Sequence, residues 1–328
     1  MHKINTLFWL ISILIDFKVW ALLKRVSLLF NTQQMNEIKY KAFVTKESDS
    51  GFTNSIEELS TVLLKENDLL VKVSYSSLNY KDALSASGNK GVTREYPHTP
   101  GIDAVGEVVE SNSSEFKIGE KIVVTGYDLG MNTFGGFGQY ISIPASWAAS
   151  LPKNLSETEA MSIGTAGLTA GLCVRKLLMN DLTPDSGDIL VTGASGGVGS
   201  VAVMLLSKLG FKVTALTGKT DQIDYLRSLG ASSVLMRSEM EDQGKPLQKG
   251  VYQGGVDTVG GNILSNFISQ TSQRGVITCC GNVASDKLQT SVFPFILRGV
   301  TLIGIDSAES LLEVKKEVWN NFSNGWKL

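Results

Sequence analysis

The residues with a chemistry of their own begin at a glycine turn, Val191-Thr192-Gly193-Ala194-Ser195-Gly196-Gly197-Val198-Gly199. Glycines at 193, 196 and 199 let the backbone turn sharply and approach a pyrophosphate with no Cβ in the way. An apolar, strand-like segment, Asp188 to Val191, precedes the turn, and a helix-patterned run, Ser200 to Leu209, follows it and closes at Gly210. A helix starting there aims unpaired N–H groups and its positive dipole end at phosphates. A glycine triplet alone is an ordinary loop. A second strand, Lys212 to Leu216, lies where a dinucleotide-binding unit puts one, and the pattern then reads as a dinucleotide site.

The end of that second strand bears on which dinucleotide binds. An Asp or Glu there would hold the ribose 2′-hydroxyl of NAD. The segment Ala215-Leu216-Thr217-Gly218-Lys219-Thr220 has no acid before Asp221. A small hydroxyl, a glycine and an ammonium suit a 2′-phosphate, so NADPH is the expected cofactor. Lys219 also has a plainer reading, as a solvated lysine on a turn.

A second chemical segment is Asn79-Tyr80-Lys81-Asp82, after the strand Leu69 to Ser74. Asn79 suits the N-cap of a short helix, and Asp82, three residues on, favours its first turn. Those roles leave Tyr80 unexplained. A phenol carries its proton at neutral pH and can hydrogen-bond a carbonyl or donate to carbon. A half-buried packing tyrosine is the competing reading.

Two kinds of structure must position these groups. From Met35 to about Leu155, short strands separated by glycine and proline describe an irregular β barrel. His98 to Val109 has the turn-then-strand character of a barrel corner, and Lys117 to Val124 repeats it. From Glu157 the pattern changes to helices alternating with buried strands: Ile189–Thr192, Lys212–Leu216, Ser233–Met236, Val256–Val259, Val276–Cys279 and Thr301–Ile305. That alternation predicts an α/β, doubly wound parallel sheet.

Composition limits the alternatives. The chain has 328 residues, long enough for two domains, with 43% hydrophobic and 19% charged residues and 33 glycines. A formal net charge of −2 argues against a nucleic-acid partner. Cys173, Cys279 and Cys280 lack metal-ligand spacing, and His2 and His98 are the only histidines, so no bound metal is expected. The cysteine usage suits a reducing, cytoplasmic setting. Residues 6–15 are apolar, but too short to cross a bilayer unaided, which takes about 20 residues. Residues 1–34 read as an extension upstream of the first globular strand; a membrane anchor is the other reading.

Several segments carry a family resemblance: Asn79 to Leu84, Pro100-Gly101-Ile102-Asp103, Gly164-Thr165-Ala166-Gly167, the glycine turn, and Pro294-Phe295-Ile296-Leu297-Arg298. Together they resemble the zinc-free medium-chain dehydrogenase/reductases, more narrowly the NADPH-dependent quinone oxidoreductase branch that includes acryloyl-CoA reductase. The resemblance implies a GroES-like β-barrel catalytic domain over residues 35–155 and a Rossmann domain over 156–328, with the active site in the cleft between them. It departs at both ends. Relatives lack residues 1–34, and they continue past the last helix in a return to the catalytic domain.

The resemblance also implies roles. Tyr80 faces the nicotinamide cleft, and Thr165 allows close approach of the nicotinamide ribose. Ser195, Gly196, Gly197 and Val198 contact the pyrophosphate, while Thr217, Gly218 and Lys219 contact the 2′-phosphate. Arg237 lies near the adenine end, or is a surface charge. Asn282, Ile296 and Ser307 line the nicotinamide side, Asn282 standing where relatives carry an apolar residue. The implied activity is hydride transfer from NADPH to an activated C=C bond of a small enoyl-CoA substrate. The alternatives are quinone reduction in the same cleft and an idle NADPH-binding protein. A homodimer is the expected assembly.

Overall fold

The computed structural model describes residues 37–242 and 244–327; the expectations for residues 1–34 fall outside that range. The chain opens with an antiparallel hairpin, β1 (Lys39–Ser48) and β2 (Gly51–Ser60). Strand β3 (Leu69–Tyr75) leads into the short helix α1 (Tyr80–Ala86), followed by β4 (Asp103–Ser111), β5 (Lys121–Thr125), β6 (Tyr140–Ile143) and β7 (Ala149–Ser150). Strands β3 to β7 form an antiparallel sheet in the order β6-β3-β4-β5-β7. Alternate residues Leu69 and Val71, Ile122 and Val124, and Ile141 and Ile143 meet in one buried cluster, as a period of two requires for one sheet face. Isolated bridges from Ala42 to Gly138 and Thr45 to His98 fasten the hairpin to the connecting segments of this sheet.

Helix α2 (Glu157–Met179) joins the two halves. Its start is a made capping box: Glu159 N–H donates to Ser156 Oγ at 3.1 Å, and Ser156 N–H donates to the Glu159 carboxylate at 2.8 Å. Gly164, at φ 50° and ψ −159°, breaks the helix. The part before the break holds the barrel through Glu157, which accepts from Ser74 Oγ and pairs with Lys121. The part after it buries Leu168, Leu172, Val174 and Leu177 in the core of the second half. The break falls where the chain crosses between domains.

The second half contains β8 (Ile189–Thr192), α3 (Gly197–Lys208), β9 (Val213–Thr217), α4 (Ile223–Ser228), β10 (Ser233–Met236), β11 (Tyr252–Asp257), α5 (Gly261–Ser269), β12 (Thr271–Cys279), α6 (Phe293–Arg298), β13 (Thr301–Gly304) and α7 (Leu312–Ser323). The six strands are parallel in the order β10-β9-β8-β11-β12-β13. Strands β8 and β9 are buried throughout, as central strands covered on both faces must be. The order reverses between β8 and β11, where such sheets bind ligands at the carboxyl ends of the strands. Strand β11 starts four residues before the expected Val256 and ends at Asp257. Gly254 and Gly255 belong to it, and a Cβ on either would collide with the carbonyl oxygen of Val276 or Leu190. Glycine is the residue that fits where these strands approach so closely.

Candidate active site

The glycine turn folds as its sequence suggests, with a division of labour among its glycines. Gly193 takes φ 60°, and a Cβ there would strike Thr258 Oγ1. A Cβ on Gly199 would strike the Gly193 carbonyl. Helix α3 starts at Gly197, three residues before the expected Ser200, with Gly196 at its N-cap. Gly196 and Gly197 are exposed and Val198 half-buried, so the first helical N–H groups, which lack intrahelical acceptors, face open space. The turn is braced from below. Thr192 Oγ1 donates to buried Asp257 at 2.6 Å, and Asp257 also accepts from Gly260 N–H at 3.0 Å.

At the end of β9 the hydroxyls of Ser195 and Thr217 lie 2.9 Å apart, and Lys219 N–H donates to Thr217 Oγ1 at 3.1 Å. Gly218 and Lys219 are exposed. A Cβ on Gly218 would sit 3.5 Å from Arg237 Nε, so the guanidinium lies against this glycine. Arg237 Nε also donates to Glu241 at 2.6 Å. The structure therefore assembles Ser195, Thr217, Gly218, Lys219 and Arg237 into one group.

The other end of the cleft centres on Asp103, a fully buried carboxylate that the sequence reading left without a role. Its Oδ2 accepts from Thr165 N–H at 2.7 Å, Asn79 Nδ2 at 3.0 Å and Ser77 Oγ; its Oδ1 accepts from Thr165 Oγ1 at 2.5 Å. Gly164 permits this, since a Cβ there would sit 2.6 Å from Ser77 Oγ. The expected capping role of Asn79 is half correct. Asn79 occupies the N-cap position, but its side chain turns to Asp103 and Ser77. Asp82 does cap, accepting from Asn79 N–H at 2.7 Å and Ile102 N–H at 2.9 Å. Burial pushes the Asp82 carboxyl up to about 6 against those two bonds.

Tyr80 is 80% exposed, which removes the packing reading. A cavity of 540 Å³ opens on another face of α1, between Phe43, Leu78, Ala83, Ala86 and Phe137, with Asn79 and Asp82 at its wall; Tyr80 does not line it. Asn282, exposed, follows β12, and half-buried Ser307 follows β13, both past the carboxyl ends of their strands. Ile296 is exposed on α6. Among the described residues, no hydrogen bond joins Asn282 or Ile296 to the other candidates. Lys315 also escaped the sequence reading. It lies on the same helical stripe as Val318, Trp319 and Phe322, all buried, and a charge on an apolar stripe was the available signal.

A barrel domain, a doubly wound nucleotide sheet and a cleft between them define a two-domain, dinucleotide-dependent oxidoreductase. Residues 65–153 match the alcohol dehydrogenase GroES-like domain, and residues 197–324 match the family described as zinc-binding dehydrogenase. Among the described residues, no group of three or more His, Cys, Asp or Glu could hold a metal ion. The chain is 42% identical to the candidate quinone oxidoreductase YhfP of Bacillus subtilis, over 88% of each chain. It is 40% identical to the acrylyl-CoA reductase AcuI of Ruegeria pomeroyi, covering 85% of this chain and 86% of that one. The crystal structure of YhfP with NAD bound superposes with a TM-score of 0.86, covering 88% of each chain. That of Escherichia coli YhdH with bound NADPH, 40% identical, superposes with a TM-score of 0.84, covering 87% of this chain and 88% of that one. The chain belongs to the medium-chain dehydrogenase/reductase family, in its quinone oxidoreductase and acrylyl-CoA reductase branch.

Proposed function

We propose that this protein is a metal-independent, NADPH-dependent reductase of an activated carbon–carbon double bond, with an enoyl thioester of the acryloyl-CoA type as substrate. The observation that carries the reading is the group at the end of β9. Ser195, Thr217, Lys219 and Arg237 come together at the end of β9, which carries no acid there to hold a free 2′-hydroxyl, and the nearby Glu241 is engaged by Arg237 Nε. The NADPH bound by Escherichia coli YhdH agrees, whereas the NAD bound by YhfP makes the preference a matter for titration.

The residues fit a dinucleotide. Gly193 and Gly199 let the turn close tightly on Thr258 and on its own carbonyl, and the start of α3 presents N–H donors for a pyrophosphate. NADPH, when bound, supplies the hydride. Asp103 fixes the start of the second part of α2 and the Asn79–Tyr80 segment against each other. This sets the nicotinamide side of the cleft relative to the barrel. Tyr80 presents an exposed phenol next to Asn79, from which it can hydrogen-bond the substrate carbonyl and hold a proton for the α-carbon. The neighbouring cavity has apolar walls, Phe43, Leu78 and Phe137.

Quinone reduction is the second reading. The cavity's apolar walls suit a quinone ring, and YhfP carries that name. Turnover of NADPH with acryloyl-CoA, set beside a simple quinone, separates the two. Tight NADPH binding with no turnover of either would support an idle binding protein. Zinc that stays at one equivalent per chain through dialysis would overturn metal independence. We further propose a cytoplasmic homodimer. The free edge of β13 and the exposed Val292, Phe293 and Leu297 near it support self-association. No helix of the described residues is long and apolar enough to cross a membrane.

A further inference from the structure

The two domains meet at a second joint, on the same rung of the barrel sheet as Asp103. In the β4–β5 ladder Asp103 stands directly opposite Thr125. The Asp103 side chain holds α2 through Thr165, and the Thr125 carbonyl holds α7 by accepting from Lys315 Nζ at 2.8 Å. Lys315 is 2% exposed. Its ammonium donates a second bond, also 2.8 Å, to the Ala308 carbonyl, and lies 3.4 Å from the centre of the Tyr127 ring. Ala308 O also accepts from Tyr127 N–H at 3.1 Å, and Tyr127 Oη donates to Ser310 O at 3.2 Å.

This joint is built for close approach. A Cβ on Gly126 would sit 2.8 Å from Ala308 Cα, and Tyr127 takes φ 54°, a left-handed conformation uncommon outside glycine. Trp147 stacks on Tyr127 at 5.6 Å and 10°, so the ring carrying the cation is held by the barrel. A buried ammonium with two carbonyls and one aromatic face has its donors engaged, which is what its burial requires. Burial pulls Lys315 down to about 8, while Glu309, Asp103 and Asp306 favour its charged form.

We propose that Lys315 is a positioning residue for hydride transfer. It pins the loop after β13, and with it Ser307, to barrel strand β5, and so sets the nicotinamide side of the cleft against the Tyr80 side. The assignment rests on the reductase reading above, because Ser307 is placed beside the nicotinamide by that reading. Through Asp103 and Lys315 one cross-strand pair holds two helices of the nucleotide domain, α2 and α7, to the barrel. A misplacement of about 1 Å between reacting groups can cost on the order of 100-fold in rate.

The test compares wild type, Lys315→Met and Lys315→Arg in three measurements. These are kcat and KM with the turned-over substrate, NADPH affinity by fluorescence titration, and hydrogen exchange of the peptide containing Tyr127. Methionine keeps the length and packing of the side chain but removes the cation. The proposal expects kcat to fall about tenfold or more in the Met variant. NADPH affinity should stay within about twofold, exchange at the Tyr127 amide should accelerate, and Arg should restore part of kcat. Wild-type kcat in a folded Met variant overturns the positioning role. If Lys315→Met does not fold, Tyr127→Leu removes the aromatic partner instead and must lower kcat in the same pattern. If wild type turns over neither substrate, the reductase reading fails. The joint is then judged by exchange alone, and unchanged exchange at Tyr127 overturns it as well.

Discussion

The Asp103 carboxylate and the Thr165 backbone N–H lie 2.7 Å apart, and that bond spans the two domains of the chain. Thr165 is the first residue after the Gly164 break, so its N–H lacks the helical acceptor that a continuous α2 would supply. Asp103 replaces that acceptor with a carboxyl oxygen, buried where the two domains meet.

Asp103→Asn tests this bond. A carboxamide presents one acceptor oxygen and an NH₂ that faces donors, so part of the set Ser77, Asn79 and Thr165 loses its partner. The expected destabilisation is about 2–4 kcal/mol, measured by urea denaturation. A loss below about 1 kcal/mol would show that the domains are held elsewhere.

Lys219→Asp removes a cation from the proposed 2′-phosphate position and puts an anion there. NADPH affinity should fall about tenfold or more, while NADH affinity should hold or rise. Titration of both cofactors into both proteins decides it. Equal wild-type affinities for the two would sink the NADPH assignment, whatever the variant does.

Tyr80→Phe keeps the ring and removes the donor. Turnover should fall on the order of 10²–10³ if Tyr80 holds the substrate carbonyl or supplies the proton. Because Tyr80 is 80% exposed, melting temperature and NADPH affinity should change little. Unchanged turnover would assign protonation to water.

Asp82 predicts a pH dependence with a definite sign. Its folded-state value of about 6 lies above the ordinary 3.8. Between about pH 4 and pH 6 the folded chain therefore binds more protons than the unfolded chain, and this group's contribution to stability falls as pH rises. Asp82→Asn lacks that titration. The stability advantage of wild type over the variant should be larger at pH 4 than at pH 7, as read from melting temperatures. A difference that stays flat across the window would mean that the Ile102 and Asn79 N–H groups offset the burial of the carboxylate.

The nucleotide-binding half was legible in the chain because its signals are local. A glycine turn between an apolar strand and a helix is specified within about a dozen residues, and strands β8 and β10 fall where the sequence places them. The missing acid after β9 was equally local. The edges of β11 were not, since Gly254 and Gly255 are explained only by the neighbouring carbonyls of Val276 and Leu190. Asn79 carried a capping residue's identity, yet its side chain serves Asp103 across 24 residues of sequence. Asp103 and Lys315 read as a strand carboxylate and a helix lysine. Their partners, Thr165 on α2 and Thr125 on β5, lie 62 and 190 residues away, on the opposite domain in each case. Local pattern reports which backbone a segment adopts. The partner of a buried charge depends on which distant elements pack against it, and that was decided only when the barrel closed on the nucleotide sheet.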